Sequence, residues 1–326
     1  MCTSITYFNQ SGSFFGRTMD FGFQLDGHPL VIPRQYQWQP ILAPMQTTRY
    51  GFVGTGRRLE TYYVADGMNE AGLTVAELYF LHEAHYHDTP AEGKFNLAPQ
   101  ELIMWLLGEI KNIAELEVRL PEIHLVSREV ALLGIVPPLH FSVTDATGRS
   151  VVLETNRGEL EMKENPVGVM TNSPEFEWHL KNLNNYLSLR PVNFEHQTIG
   201  SHVIQPFGQG SGTYGLPGGH TSPERFVRAV YHRQHIDTGS TSDETINALF
   251  HLLNSVSIPK GVNIKDDGSM DYTQYLSVYD SQQKRYYFKP YYAQQVYDVV
   301  LTEALLTASE PTEFKVPTAF KSNSLI

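Results

Sequence analysis

The chain contains one cysteine, Cys2, directly behind the initiator methionine. A small side chain at position 2 suits removal of Met1, and the chain would then begin with a thiol and a free α-amine on one residue. In model peptides an α-amine titrates at about 7.7–8.0 and a cysteine thiol at about 8.5. One residue would therefore carry both a nucleophile and a base usable at neutral pH. The plainer reading of a lone cysteine is a small buried hydrophobe, and of position 2 a frayed terminus.

Other residues could complete a site around it. Arg17 and Asp20 lie in Phe15-Gly16-Arg17-Thr18-Met19-Asp20-Phe21. A cation beside a thiol favours the thiolate, and a carboxylate beside an amine can orient it. Residues three apart in a regular strand point to opposite faces, so both would reach Cys2 only if the strand bends, bulges or ends between them. An exposed ion pair is the alternative. Asn172 closes a strand-like run and precedes Ser173-Pro174, which reads as a helix start. An amide near the positive end of a helix dipole is placed to donate to a developing oxyanion, or else is a turn residue. Arg225 falls in the first turn of a helix opened by Thr221-Ser222-Pro223-Glu224. A cation there opposes the dipole and calls for a polar or anionic partner elsewhere.

The elements that must position these residues follow from periodicity. Residues 2–7 alternate, with Thr3, Ile5 and Tyr7 on an apolar face and Cys2, Ser4 and Thr6 on a small polar one. A second strand is expected over 13–21, and 62–65 with 73–80 flank the turn-rich Asp66-Gly67-Met68-Asn69-Glu70 as in a hairpin. Leu102, Ile103, Leu106, Leu107 and Ile110 share one helical face behind Pro99, and Asn112 with Glu115 suggests a capping box. Strands at 140–144, 151–155 and 160–163 form a meander. Helices follow from Ser173-Pro174, from Ser222-Pro223 and over 242–256, and aromatic strands close the pattern at 272–279 and 285–289. Strands and helices in runs, without strict alternation, indicate an α+β domain of stacked antiparallel sheets covered by helices.

Composition bounds the function. The chain has 326 residues, 41% hydrophobic and 18% charged, with a formal net charge of −11. That charge argues against nucleic acid, which needs a basic footprint. A single cysteine allows neither an internal disulfide nor a thiolate metal cage. There is no apolar run of bilayer length and no basic-then-apolar leader at the start, so a cytoplasmic protein without membrane insertion, acting on a small molecule, is expected. Three motifs are set aside. Gly210-Ser211-Gly212-Thr213-Tyr214-Gly215 has the dinucleotide glycine spacing but no strand before it and Pro217 after it. His82, His85 and His87 lack the helical spacing of a zinc site. Tyr286-Tyr287-Phe288 with Tyr291-Tyr292 reads as strand packing.

Five motifs in order, beginning Met1-Cys2-Thr3-Ser4, resemble the choloylglycine hydrolase family, which comprises penicillin V acylases and conjugated bile salt hydrolases. The others are Gly16-Arg17-Thr18-Met19-Asp20-Phe21, Gly168-Val169-Met170-Thr171-Asn172-Ser173-Pro174, Gly215-Leu216-Pro217-Gly218 and Ser222-Pro223-Glu224-Arg225-Phe226. The resemblance implies a four-layer αββα N-terminal nucleophile fold over 1–326, usually a homotetramer, that cleaves amides with no metal or cofactor. It implies Cys2 as nucleophile with its own amine as base, Asp20 holding that amine, and Arg17 favouring the thiolate. Asn172 and the backbone N–H of Tyr79 would form the oxyanion hole, with Arg225 supporting Cys2 and Asn172. Met19, Tyr79 and Ile135 would contact substrate. At Tyr79 bile salt hydrolases typically carry Asn and penicillin V acylases Tyr, and segments 172–179 and 206–210 also look closer to the acylases, so the resemblance is closer to the acylase branch. The implied reaction is cleavage of penicillin V-like amides through a Cys2 thioester. Alternatives are hydrolysis of glycine- or taurine-conjugated bile acids, and a non-catalytic relative that binds apolar amides or senses oxidants. The glycine-rich segment 190–219 is compatible with an assembly arm or an active-site lid.

Overall fold

The hairpin expected at the start of the chain is the centre of the first sheet. A computed structural model describes residues 1–317 and 319–325. In it β1 (Cys2–Asn9) pairs antiparallel with β2 (Gly12–Phe21), Cys2 opposite Met19 and Ser4 opposite Arg17. Going outward, the sheet runs β10 (Val169–Met170), β1, β2, β11 (Tyr272–Asp280), β12 (Arg285–Pro290) and β13 (Tyr297–Val300). The second sheet has eight strands in the order β9 (Glu161–Glu164), β8 (Ser150–Glu154), β7 (Leu139–Thr144), β6 (Thr74–Tyr79), β5 (Tyr62–Asn69), β4 (Phe52–Arg58), β3 (His28–Ile32) and β14 (Thr312–Glu313). All pairings within these two sheets are antiparallel.

Helices cover the outer faces. α4 (Ser222–His235) and α5 (Ser242–Val256) pack on the first sheet, where Phe226, Leu249 and Leu253 join Ile5 and Phe14. α1 (Leu102–Glu109) and α2 (Ile113–Arg119) pack on the second, where Trp105, Leu106 and Leu116 meet Phe52, Val75 and Phe141. The result is the expected α+β arrangement, two antiparallel sheets between helix layers. Being sandwiched explains one departure from the sequence pattern: residues 2–6 are all buried, so β1 has no solvated polar face.

Helix ends follow local chemistry. Thr241 and Glu244 form a complete capping box at α5. At α2 only half of one exists: Asn112 accepts from Glu115 N–H, while the Glu115 carboxylate accepts from Lys111 N–H. The helix expected from Ser173-Pro174 begins later, as α3 (Phe176–Asn182). The turn expected over 66–70 also moves. β5 continues through Asn69, and the chain reverses at Gly72, whose φ of 90° suits glycine.

Candidate functional site

Backbone register brings the first candidates together. Cys2 is 3% exposed, and its Sγ accepts a hydrogen bond from Arg17 Nη2 at 3.0 Å. Arg17 and Asp20 reach the Cys2 region from opposite faces of β2, so no bend between them is needed. Arg17 serves the sulfur on the inter-sheet face. Asp20 lies on the helix side, where its carboxylate accepts from Thr18 Oγ1 (2.8 Å) and Thr273 Oγ1 (2.5 Å). Thr18 Oγ1 in turn accepts from Thr3 N–H at 3.1 Å. The Met1 ammonium donates to the Asp20 carbonyl at 2.5 Å, while the Cys2 nitrogen itself donates to Asn172 Oδ1 at 2.8 Å.

Two bulges set this geometry. In β5, Thr55 pairs with Asp66 but Gly56 with Val64, leaving Ala65 unpaired. Its freed carbonyl accepts from Arg17 Nη1 at 3.0 Å. In β11 the register shifts between Thr273 and Tyr275. Thr273 then serves Asp20, while the Tyr275 hydroxyl donates to Asp66 Oδ2 at 2.5 Å.

Asp66, hidden in the sequence as a turn residue, is the buried counterion of Arg17 at 3.1 Å. It also accepts from Thr55, Ser277, Tyr275 and Tyr279 hydroxyls. Close packing against Gly54 holds its backbone, since a Cβ there would lie 2.1 Å from Asp66 O. Burial alone would lower Arg17, but Tyr275, Cys2, Asp66 and Glu77 together hold it above the ordinary arginine range. The guanidinium thus stays charged beside the sulfur, where it stabilises negative charge.

Asn172 is fixed on every side. Its Oδ1 accepts from Cys2 N–H (2.8 Å) and from Arg225 Nη2 (2.7 Å), which turns the amide nitrogen toward Tyr79. One Nδ2 hydrogen goes to the Tyr79 carbonyl at 2.8 Å, and the second is available to a ligand. Phe80 N–H donates to Pro138 O, which makes Tyr79 opposite Leu139 a non-hydrogen-bonded pair. The Tyr79 N–H therefore points away from β7, toward the side where pairing of β5 with β6 has stopped at Ala76. A developing oxyanion near Cys2 would meet both donors. With α3 starting four residues later, Asn172 does not sit at its N-terminus, and Arg225, from the first turn of α4, orients the amide.

Arg225 is fully buried and donates to Cys2 O and Thr3 Oγ1, both at 2.6 Å, as well as to Asn172. These are the partners its place in the first turn called for. Asp20 Oδ2 lies 3.9 Å from it. Burial lowers Arg225 below the ordinary arginine range, and Asp20 and Cys2 oppose that shift.

Sequence reasoning missed a second set of positioning residues, because lone histidines and serines carry no motif. Asn172 N–H donates to Ser222 Oγ (2.9 Å), and His179 Nε2 lies 2.8 Å from Asn172 O. His140 bridges Thr171 O and Glu154. His179 Nδ1 has no partner among the described residues, and burial, with His140 and Arg225 nearby, pushes the ring down to about 4. The ring is neutral in the native state at pH values where it protonates in the unfolded one. Its contribution is therefore complete above about pH 6.5 and lost as pH falls toward the native value, a change of roughly 3 kcal/mol. Urea unfolding at pH 7 and 4.5 should show this loss in the unaltered chain and a much smaller one in His179→Gln. Equal losses would remove His179 from the account.

Beside Cys2 opens a cavity of about 130 Å³. Met19 and the half-buried Tyr79 line it, and the Tyr79 ring meets Phe21 edge-on at 5.5 Å. Ile135 does not. It is 41% exposed and bridges Val130, while Leu132 and Leu133 of the same loop face the cavity. Segment 190–219 contributes nothing to the lining. It carries a hairpin, Gln197–Ile199 with His202–Ile204, whose Ile199 and Val203 are exposed, as is Phe207 beyond it. His82, His85 and His87 lie in the turns after β6, and His87 stacks on His124. The aromatic cluster packs in and beyond β12, with Tyr286 against Tyr279 and Tyr291 against Tyr272. No helix among the described residues is long and apolar enough to cross a membrane.

Comparison with known proteins agrees with this geometry and corrects one expectation. The chain is 32% identical over 289 residues to a conjugated bile acid hydrolase of Lactobacillus acidophilus, covering 88% of this chain and 92% of the relative. It is 33% identical over 311 residues to a bile salt hydrolase/transferase of Lactiplantibacillus plantarum, covering 95% of each. A solved variant of the conjugated bile acid hydrolase of Clostridium perfringens superposes over 100% of both chains with a TM-score of 0.93 at 28% identity. The penicillin V acylase of Pectobacterium atrosepticum is only 23% identical over 313 residues, covering 88% of this chain and 77% of the relative. The closer likeness to the acylase branch, expected from Tyr79, is therefore not supported. One side chain at a cavity wall is a small part of a comparison that spans both sheets. The family model of linear amide C–N hydrolases, choloylglycine hydrolase family, matches residues 2–314, and with the geometry above this establishes that the chain belongs to that family and is a hydrolase of linear amide C–N bonds.

Proposed function

We propose that the protein, once Met1 is removed, hydrolyses the amide of conjugated bile acids through a thioester on Cys2. The observation that carries the reading is the convergence on Cys2: Arg17 on its sulfur at 3.0 Å, Asn172 tied to its nitrogen and to Tyr79, and an apolar cavity alongside. Relatives of 30–33% identity are named conjugated bile acid hydrolase or bile salt hydrolase/transferase, which supports a steroid acyl group.

The chemistry follows the geometry. The Cys2 α-amine takes the thiol proton as sulfur bonds to the amide carbonyl carbon. Asn172 Nδ2 and Tyr79 N–H hold the oxyanion. The protonated amine gives its proton to the departing nitrogen, the C–N bond breaks, and the free amine product leaves a thioester. Water, deprotonated by the same amine, attacks the thioester, and the acid departs as the thiol is restored. Asp20, through Thr18 and Arg225, fixes the strand end that presents the amine. None of these steps calls on a metal or cofactor.

A second reading, a phenoxyacetyl amide such as penicillin V, is favoured by one observation, the half-buried Tyr79 ring at the cavity wall. Its flat face suits an aryl group. Amine release from glycocholate and penicillin V, measured side by side at matched concentration, decides between them. A higher kcat/KM for glycocholate is expected; the opposite preference would restore Tyr79 as the discriminating residue. The exposed hairpin of segment 190–219, which takes no part in the cavity lining, supports an assembly arm and, with it, a homotetramer.

A further inference from the structure

Two polar side chains line the acyl cavity without partners and without a part in the hydrolysis. Ala76 and Leu78 of β6 belong to the core between the sheets, so Glu77 projects to the opposite, helix-covered side. Gln100 reaches the same cavity from the 3-10 turn Pro99–Glu101 that leads into α1. Glu77 Oε2 is buried and unpartnered. Gln100 is 7% exposed, with both Oε1 and Nε2 buried and unpartnered. Among the described residues neither side chain makes a hydrogen bond or ion pair. Leu132, Leu133, Val64 and Leu139 make up apolar parts of the wall around them.

Buried polar groups are normally satisfied, and each orphan calls for an explanation. Both groups open into a cavity built to hold an acyl chain, so the missing partner is one the ligand can bring. Burial, reinforced by Asp66 and opposed by Arg17, raises Glu77 to about 8. At neutral pH it is a carboxylic acid with one O–H donor and free acceptor capacity, and Gln100 adds an amide donor and acceptor. Two neutral donor–acceptor groups match a hydroxyl, which is itself both. They offer no full charge to an ammonium or a carboxylate.

We propose that Glu77 and Gln100 form a polar station in the acyl cavity that selects acyl groups bearing a hydroxyl. This assignment deepens the acyl-amide reading above and rests on it. It makes a ring-hydroxylated steroid acid, or a hydroxylated aryl acid, a better occupant than its unhydroxylated counterpart. A site that hydrogen-bonds a hydroxyl rejects the analogue lacking it, because its own groups are then left unpaired.

The test reads binding of the free acids, so that it does not depend on turnover. Dissociation constants are measured by calorimetry for cholate, deoxycholate and chenodeoxycholate, and for 4-hydroxyphenoxyacetate against phenoxyacetate. The proteins are the unaltered chain, Glu77→Gln, Glu77→Ala and Gln100→Leu. In at least one pair the preference for the hydroxylated acid should be about tenfold greater in the unaltered chain than in Glu77→Ala or Gln100→Leu. Glu77→Gln, which keeps a neutral donor and acceptor, should retain most of that preference. Preferences equal across all four proteins would overturn the proposal, as would failure of every acid to bind. Retained hydroxyl discrimination in a chain that cleaves neither glycocholate nor penicillin V would support the polar station and sink the hydrolysis reading instead.

Discussion

Asn172→Ala is expected to lower kcat by about 10²- to 10³-fold with little change in KM, the usual consequence of removing one oxyanion donor. The direction follows from how the amide is held. Arg225 and the Cys2 backbone nitrogen both bind Oδ1, so Nδ2 can only face Tyr79 and the space above the sulfur. A donor already fixed before substrate arrives stabilises the developing charge without reorganisation. The ground-state carbonyl is held mainly by the cavity, which the substitution leaves intact. Stability should fall as well, by about 1–3 kcal/mol, because a buried Arg225 N–H loses its acceptor. Steady-state kinetics at saturating substrate, with a urea melt on the same sample, separates the two effects. An unchanged kcat would remove Asn172 from the oxyanion site.

Retention of Met1 is expected to have a comparable or larger effect, about 10²- to 10⁴-fold, the range associated with loss of a general base. With Met1 in place the Cys2 nitrogen is an amide and cannot take a proton. Arg17 would still contact the sulfur, so the thiol would remain reactive toward simple alkylating agents while amide turnover is lost. That split between thiol reactivity and catalysis is specific to a missing base and would not accompany a collapsed site.

Much of the fold was legible because it rests on local pattern. The hairpin of β1 and β2, the meander of β7 to β9, and α5 over Ser242–Val256 were each signalled by alternation, turn glycines or caps. Cys2, Arg17, Asp20, Asn172 and Arg225 were legible as a set, and the structure brings them together. The sequence did not disclose how Arg17 and Asp20 could both act. The answer is not a bend in β2 but two faces of one strand, with the bulge displaced to β11.

Asp66 was invisible for a different reason. Asp-Gly-Met-Asn reads as a turn by composition, yet Asp66 is buried by donors from Arg17, Tyr275 and Tyr279, up to 213 residues away. No local signal reports such a network. Helix α3 begins at Phe176, beyond Asn172, whose helix neighbour is instead the start of α4 through Ser222. The substrate contact expected at Ile135 follows from the resemblance alone, whereas Ile135 bridges Val130 and is exposed, and Leu132 and Leu133 line the cavity. Glu77 went unread because a carboxylate in an alternating strand normally marks the solvated face. Here that face is covered by helices, and the carboxyl opens into the cavity.

The central claim is that the free α-amine of Cys2 is the base. It is tested on one preparation carrying a short extension that a site-specific protease removes to leave Cys2 first. Glycocholate hydrolysis is measured before and after cleavage, with intact mass confirming each form and thiol alkylation rates confirming an accessible Cys2 in both. The account predicts turnover that is near zero before the cut and rises at least about 10²-fold after it, with alkylation little changed. Equal turnover in the two forms would contradict it, because an acylated Cys2 nitrogen cannot serve as the base.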